Sequence, residues 1–318
     1  MINRSRLGWE LARTFMIIFI IYFLYVALNE IFHLAVSVFS PQSIEGGAGL
    51  VFSFTGFLSR LFTLFAFLFA VLIGEKIIFK QKLMAIESYS MPIIRTDRRG
   101  LKKTGNDILY GLMLGTSLFT LLFLVFKGIG WLTVTGFLFS APAVTPPGVY
   151  LQILWSVPVL FISAVFEELL TRGFLLSVCK KTCGTAGGIF LSALSFSLMH
   201  FYNPYFSTAG LIGIFLAGLW FGLAYVLTGA LYLSTAAHFS WNISQMLLGF
   251  PVSGLDTPHL VMTSISGPKV WTGGEFGPEA GISGYLLIIL GMVLVLFYIK
   301  KRCQPKTFLK ALVDIRKS

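Results

Sequence analysis

The sequence predicts an all-α, polytopic membrane protein, and three observations support this prediction. The chain has 318 residues, is 56% hydrophobic and only 12% charged, and has a mean hydropathy of +0.84. Its apolar residues fall in runs of roughly 17–25, the length that crosses about 30 Å of hydrocarbon as a helix. Its basic residues gather at the ends of those runs, as topology signals do. A soluble protein with an unusually apolar core does not explain so many runs of this length.

Eight transmembrane helices follow from these runs. They are predicted at 13–39, 50–79, 107–126, 150–178, 187–201, 209–227, 230–249 and 283–299. The first run is too long for the apolar part of a signal peptide and lacks an Ala-x-Ala site, so we expect it to remain as a span.

One membrane domain over 1–318 is the simplest organisation, because the sequence shows no internal repeat. The first part, 1–149, holds the first spans and a basic cytoplasmic loop. Residues 150–249 form the helices that carry polar side chains. The last part, 250–318, holds a Gly-rich outer loop, the last span and a basic tail.

The distribution of Lys and Arg predicts the orientation. These residues crowd 76–103, recur at Lys180 and Lys181, and follow the last span at 300–302, whereas the loops 40–49 and 203–208 contain none. Positive-inside reasoning then places both termini in the cytoplasm. The net charge of +11 therefore reports topology and does not indicate a nucleic-acid partner.

The longest outer loop, 251–282, is rich in glycine and proline, which predicts a turn-rich cap rather than a helix. We expect the titratable residues of the outer loops to be solvated; these are Glu45, His259, Glu275 and Glu279. The three cysteines fall in segments placed on the cytoplasmic side, so free thiols are expected.

Two adjacent glutamates, Glu167 and Glu168, lie inside the fourth predicted span, with Arg172 one turn later. A carboxylate in hydrocarbon costs several kcal/mol unless it is paired or faces a wet cavity. Glu168 and Arg172 are spaced i,i+4 in the favoured direction for an ion pair. Helical neighbours point about 100° apart, so Glu167 should face a different neighbour. We expect Glu168 and Arg172 to hold structure and Glu167 to carry the chemistry.

Two further spans carry polar side chains at i,i+4 spacing: Phe196 with His200, and His238 with Asn242. At 1.5 Å rise per residue, Glu167 lies ~16 Å, His200 ~20 Å, His238 ~14 Å and Asn242 ~20 Å from the cytoplasmic helix ends. Antiparallel neighbours joined by short loops therefore bring all four to a similar depth.

A carboxylate, two imidazoles and an amide in a low-dielectric pocket suit hydrolysis. The carboxylate, helped by one histidine, can act as general base on a water, and the second histidine and the amide can donate to an oxyanion. The same atoms could bind zinc, although there is no His-Glu-x-x-His helix and Asn is a poor zinc ligand. In a non-catalytic transporter or bacteriocin-immunity protein, they would be proton-relay or ligand-binding groups.

Three motifs stand in order along the chain: Glu167-Glu168-Leu-Leu-Thr-Arg172, Phe196-Ser-Leu-Met-His200 and His238-Phe-Ser-Trp-Asn242. With these motifs, the sequence between about Tyr150 and Gly249 resembles the family of CAAX proteases and bacteriocin-processing proteins, also called the Abi family of intramembrane endopeptidases.

The resemblance implies an eight-helix membrane peptidase of glutamic type that needs no metal. Glu167 and His200 would activate water, while His238 and Asn242 would form the oxyanion hole. Glu168, Arg172 and Phe196 would support them. The resemblance implies membrane-associated peptides or proteins as substrates; cleavage after a prenylated cysteine does not transfer from the family name. The short basic loops suit a bacterial inner membrane.

Overall fold

A computed structural model of the protein describes residues 54–73, 98–138 and 147–302. The first predicted span, 13–39, lies outside the described residues, as do Glu45, Cys303 and the basic tail. Within the described ranges the chain is mostly helical, which confirms the predicted class.

The structure contains the following helices in chain order: α1 Phe54–Ile73, α2 Arg98–Gly128, α3 Pro147–Glu168, α4 Ser177–Leu198, α5 Thr208–Thr228, α6 Tyr232–Leu247, α7 Lys269–Thr272 and α8 Ile282–Arg302. A π-helical stretch, Leu169–Leu176, joins α3 to α4. Two 3-10 turns, Gly274–Phe276 and Pro278–Ala280, lie between α7 and α8.

Four of the described helical segments are long and apolar enough to cross a membrane: Lys103–Gly128, Val149–Lys180, Thr208–Thr228 and Ile282–Arg302. Two shorter apolar helices, Gly56–Leu68 and Cys183–Leu198, accompany them. These helices make the chain a membrane protein. The count of eight spans and the cytoplasmic termini stay predictions.

Helix α5 begins and ends where its sequence predicts. The Ser207 side chain accepts the backbone N–H of Gly210 at 3.2 Å, which caps the first turn. Gly229 adopts a left-handed conformation and ends the helix.

Helix α4 departs from the predicted span 187–201 at both ends. It starts earlier, with a break at Gly184, where φ is 73°. It ends at Leu198, so His200 lies in the turn that follows the helix rather than on it.

The two ends of the bundle differ in chemistry. At one end, Asp107 of α2 accepts hydrogen bonds from Tyr298 Oη at 2.7 Å and from Arg302, both on α8. The basic beginning of α2 and the basic end of α8 therefore lie together, and we call this the basic end. The opposite end carries the segment 250–281, which we call the cap.

A two-stranded antiparallel sheet joins the cap to the segment that follows α2. Strand β1, Leu132–Phe137, pairs with β2, Val261–Ile265, with a register shift between Val134 and Gly136. The all-α prediction missed this sheet. The rest of the cap is short turns and the single turn of α7, as the Gly-rich sequence indicates.

Helix α6 lies at the centre of the bundle because small residues let α2 approach it closely. A Cβ added to Gly111 of α2 would lie 2.7 Å from the carbonyl oxygen of Leu233 and 2.8 Å from Cβ of Ala236. Such close contact is the usual role of small residues between membrane helices. The approach fixes the helix that presents His238 and Asn242.

Candidate active site

The backbone changes its winding directly after the two glutamates. Helix α3 ends at Glu168, and the next eight residues form the π-helical stretch Leu169–Leu176. The Thr171 hydroxyl donates to the Glu167 carbonyl at 2.5 Å in this region. π-helical turns inside α-helices occur frequently at functional sites.

Glu168 and Arg172 form a fully buried ion pair. Arg172 Nη1 lies 2.7 Å from Glu168 Oε1, and both side chains are 0% exposed. The guanidinium also donates to Thr171 Oγ1 at 2.9 Å and to the Gly218 carbonyl at 3.0 Å. Either ion alone would be costly at this depth, so the pair and its hydrogen bonds keep both charges in place.

The His238 ring lies between the two glutamates. Its Nδ1 is 3.3 Å from Glu168 Oε1, and its Nε2 is 3.7 Å from Glu167 Oε2. Glu167 therefore has a neighbour other than Arg172, as expected, and the second nitrogen of the same ring also reaches Glu168. An ionised carboxylate only accepts hydrogen bonds, so Nδ1 carries the proton toward Glu168.

Phe196 lies against three of the charged or titratable side chains. Arg172 Cζ is 4.4 Å from the centroid of the Phe196 ring, a cation–π distance. The rings of His200 and His238 lie 5.0 and 5.5 Å from the same ring in edge-on geometry. Phe221 stacks on His238 at 4.8 Å. These aromatic contacts fix the orientation of the imidazoles.

His200 sits in the turn after α4, where its ring Nδ1 is 2.9 Å from the carbonyl oxygen of Phe196. A carbonyl accepts, so Nδ1 is the protonated nitrogen and Nε2 remains free to accept a proton. Glu167 and His238 both interact electrostatically with this ring. His200 thus lies in a turn, although its i,i+4 spacing from Phe196 predicted that both residues share one helical face.

A cavity lies between these residues and the cap. The polar groups that line it include His200, His238, Asn242, Ser253 and Glu279, and its aromatic groups are Phe196, Trp220, Phe221 and Trp241. The space that a water molecule can enter is about 20 Å³, enough for about one water. Glu167 adjoins the cavity through His238, and its side chain is 21% exposed.

Glu279 is buried, which contradicts the expectation that this outer-loop acid is solvated. Its side chain is only 2% exposed. Its Oε1 accepts from Trp241 Nε1 at 3.2 Å and its Oε2 accepts from Gln245 Nε2 at 2.7 Å. Burial raises the pKa of Glu279 to about 7. A single acid in a Gly/Pro-rich loop shows no periodicity that could have revealed this.

Of the other outer-loop residues that the structure describes, His259 is partly buried and Glu275 is exposed. His259 is half-buried, and its Nδ1 lies 3.1 Å from the Met246 carbonyl. Glu275 is exposed as expected and pairs with Lys269 at 3.0 Å.

The sequence does not decide whether the site binds a zinc ion. Over the ranges that the structure describes, no group of three or more His, Cys, Asp or Glu side chains is placed to hold a metal ion. The zinc alternative would have to use Glu167, His200 and His238.

Residues 149–244 match the profile of a family described as type II CAAX prenyl endopeptidase Rce1-like. Over this segment, the chain is similar to the CAAX protease family. The resemblance seen in the three motifs is thereby confirmed. The Rce1-like segment contains every motif residue from Glu167 to Asn242 and ends before the cap, so Glu279 lies outside it. No curated protein matches the chain.

Proposed function

We propose that the protein is an intramembrane endopeptidase of glutamic type. The observation that supports this most directly is the convergence of Glu167, His200, His238 and Asn242 beside one small polar cavity inside the family-matched segment. Glu168, Arg172 and Phe196 hold these groups in place.

Water activation is the first step of the proposed mechanism. A water held beside Glu167 and the free Nε2 of His200 gives its proton to the Glu167 carboxylate. Its oxygen then forms a bond to the carbonyl carbon of the scissile peptide. General base catalysis of this kind contributes roughly 10²–10⁴-fold.

The oxyanion that forms is stabilised by His238 and by the Asn242 amide, which donates through its side-chain nitrogen. Because Glu168 holds the Nδ1 proton, His238 can donate from Nε2 only as an imidazolium. In that form the Nε2–H of His238, which lies 3.7 Å from Glu167 Oε2, is the group that would donate to the oxyanion.

Collapse of the tetrahedral intermediate completes the proposed reaction. The carbon–nitrogen bond breaks, and the proton that Glu167 took from water passes to the leaving amine. The products are a carboxylic acid and an amine, and the site returns to its starting charge. The fixed donors cost little reorganisation during the step.

The proposed substrates are membrane-associated peptides or proteins, because the cavity is built among apolar helices. The proposed location is a cell membrane, specifically a bacterial inner membrane, since the cytoplasmic loops are short and basic. Both termini are proposed to lie in the cytoplasm.

The test uses the purified full chain in liposomes with quenched fluorescent peptides. One set carries an acyl anchor and the other a farnesylated C-terminal cysteine motif, so the result also reports whether a prenyl group matters. We expect cleavage by the wild type and none above background by Glu167→Gln. Glu275→Gln, the same substitution on an exposed cap residue, should cleave like the wild type. Equal cleavage by Glu167→Gln and the wild type would refute the proposal.

A chelator arm separates the two hydrolytic mechanisms. A glutamic peptidase keeps its rate in the presence of a zinc chelator. If activity disappears with chelator and returns on adding zinc, the zinc-dependent version is correct and Glu167 is a ligand instead of the base.

A further inference from the structure

The cap contacts the helix that bears the proposed oxyanion donor. Glu279 accepts hydrogen bonds from Trp241 and Gln245 of α6. Trp241 directly precedes Asn242, and Gln245 follows it by three residues, so the two bonds flank Asn242 on the helix. Glu279 and Asn242 also line the same cavity.

The position of Glu279 is itself fixed from several sides. A Cβ added to Gly213 of α5 would lie 2.7 Å from the carbonyl carbon of Glu279, so the cap backbone rests directly on that helix. Gln245 Nε2 also donates to the Pro251 carbonyl at 2.5 Å. One amide nitrogen therefore ties both ends of the cap to α6.

We propose that Glu279 is a positioning residue that holds Asn242 at the cavity through Trp241 and Gln245. This inference rests on the proposed function, since it assigns a supporting residue to the same site. Glu279 lies outside the family-matched segment, so its role is a property of this chain's cap. An ångström-scale displacement of a catalytic group can cost about 10²-fold in rate.

Both bonds require the ionised carboxylate, because it accepts at each oxygen. A protonated oxygen would face a donor, either Trp241 Nε1 or Gln245 Nε2, and one bond would be lost. Those two partners are neutral, and His238 is the titratable group whose charge acts on Glu279. Burial raises the pKa of Glu279 to about 7, so the contact should strengthen as the pH rises through that value.

The experiment is a double-mutant cycle on the full chain in liposomes with the acyl-anchored peptide. Glu279→Gln keeps the side-chain volume but sets an amide nitrogen against Gln245 Nε2. We expect kcat to fall about tenfold with KM within about twofold. In the Asn242→Ala background the same change should alter kcat by less than about twofold, because coupled residues are not additive. A residue that acts only on stability would give equal losses in both backgrounds, and that result would overturn the proposal.

Two further variants keep the test decisive. Gln245→Met removes the hydrogen bond to Glu279 from the helix side, together with the one to the Pro251 carbonyl. It should repeat both the kcat loss and its disappearance without Asn242. Glu275→Gln, in the same cap, should leave kcat unchanged. The ratio of wild-type to Glu279→Gln kcat should grow between pH 6 and pH 8, roughly the range around the raised pKa; a constant ratio contradicts the ionised contact.

Failure of the inference is distinguishable from failure of the proposed function. If Glu167→Gln abolishes cleavage while Glu279→Gln and Gln245→Met keep the wild-type kcat, the peptidase assignment stands and the positioning role is wrong. If Glu167→Gln cleaves like the wild type, the proposed function is wrong and the inference falls with it.

Discussion

Two regions of the molecule each bury a carboxylate close enough to His238 to interact with it, and they hold that carboxylate in opposite ways. Glu168, from the membrane helices, contacts a guanidinium at 2.7 Å and an imidazole at 3.3 Å. Glu279, from the cap, contacts an indole and an amide, which are neutral. Both side chains are almost fully buried. Burial is therefore shared, and the charge of the partners is what differs.

This difference decides what each acid can do. A carboxylate paired with a guanidinium is stabilised as an anion and can orient a neighbouring histidine. A carboxylate held only by neutral donors is near the balance point between its two forms, so it can respond to pH. We therefore expect Glu168, among the membrane helices, to have a fixed role and Glu279, in the cap, to have a role that changes with pH.

The largest expected effect is on the buried ion pair. Arg172→Met removes the cation and leaves Glu168 as a buried anion beside His238, so the free energy of unfolding should fall by about 3–5 kcal/mol. Thermal unfolding in detergent measures this. Lys269→Met breaks the exposed pair of the cap, 76% and 55% exposed, and should leave the free energy of unfolding nearly unchanged. Similar losses for both variants would remove the distinction between the regions.

A smaller effect, on rate instead of stability, is expected at Asn242. Asn242→Asp keeps the size of the side chain but replaces the donating amide with a group that only accepts, so kcat should fall about 10²–10³-fold. Peptide cleavage in liposomes measures it, with melting temperature as the control. An Asn242→Asp protein with wild-type kcat would exclude an oxyanion role for this residue.

The cap acid should make stability depend on pH. Burial raises the pKa of Glu279 from 4.5 to about 7, so the folded protein binds this proton more tightly than the unfolded chain. The stabilisation that comes from this bound proton is complete below pH 4.5. It is lost as the pH rises through 7, so the free energy of unfolding falls by up to about 3 kcal/mol. Glu279→Gln should flatten this part of the stability profile, measured as melting temperature between pH 4.5 and pH 8. Glu275→Gln should leave the slope in place.

If the wild type and Glu279→Gln show parallel profiles, the protonation of Glu279 is not linked to folding. The expected pattern combines two opposite trends. Ionisation of Glu279 lowers stability while it improves the placement of Asn242, a trade-off of the kind found at active sites.

The smallest effect is expected at Phe196, whose side chain contacts Arg172 and the two histidines through its ring alone. Phe196→Leu removes the cation–π contact with Arg172 and the edge contacts with both histidines, at a cost of about 1–2 kcal/mol. Thermal unfolding gives the loss. Phe190→Leu, on the same helix but with a ring 52% exposed, is the matched control and should change stability less. A Phe196→Leu protein as stable as the wild type would show that the ring contacts contribute nothing.

Much of the fold followed from the sequence because apolar length and charged ends are local signals. The predicted spans 209–227, 230–249 and 283–299 coincide with α5, α6 and α8 to within a few residues. The spans 107–126, 150–178 and 187–201 overlap helices but have different ends, because α2 begins at Arg98, α3 ends at Glu168 and α4 begins at Ser177. The second and third motifs also place His200, His238 and Asn242 at one cavity, and the glutamates of the first motif contact His238.

The features that the sequence did not reveal depend on contacts between distant segments. The alternating pattern of Leu132 to Phe137 indicates a strand, but its partner lies more than a hundred residues later. The π-helical stretch Leu169–Leu176 leaves no mark on the pattern of apolar residues that predicts a helix. Glu279 is buried only because the cap folds onto α5 and α6. In each case the deciding energy is tertiary packing and not local propensity.

The most direct test of the account compares Glu167→Gln with Glu168→Gln in one experiment, with cleavage rate and melting temperature measured on the same preparations. The account predicts that Glu167→Gln loses about 10²–10⁴-fold in kcat and keeps its melting temperature. It predicts that Glu168→Gln is destabilised by about 3 kcal/mol or more, because Arg172 loses its counter-ion. A Glu167→Gln protein that cleaves at the wild-type rate would contradict the central claim that Glu167 is the base.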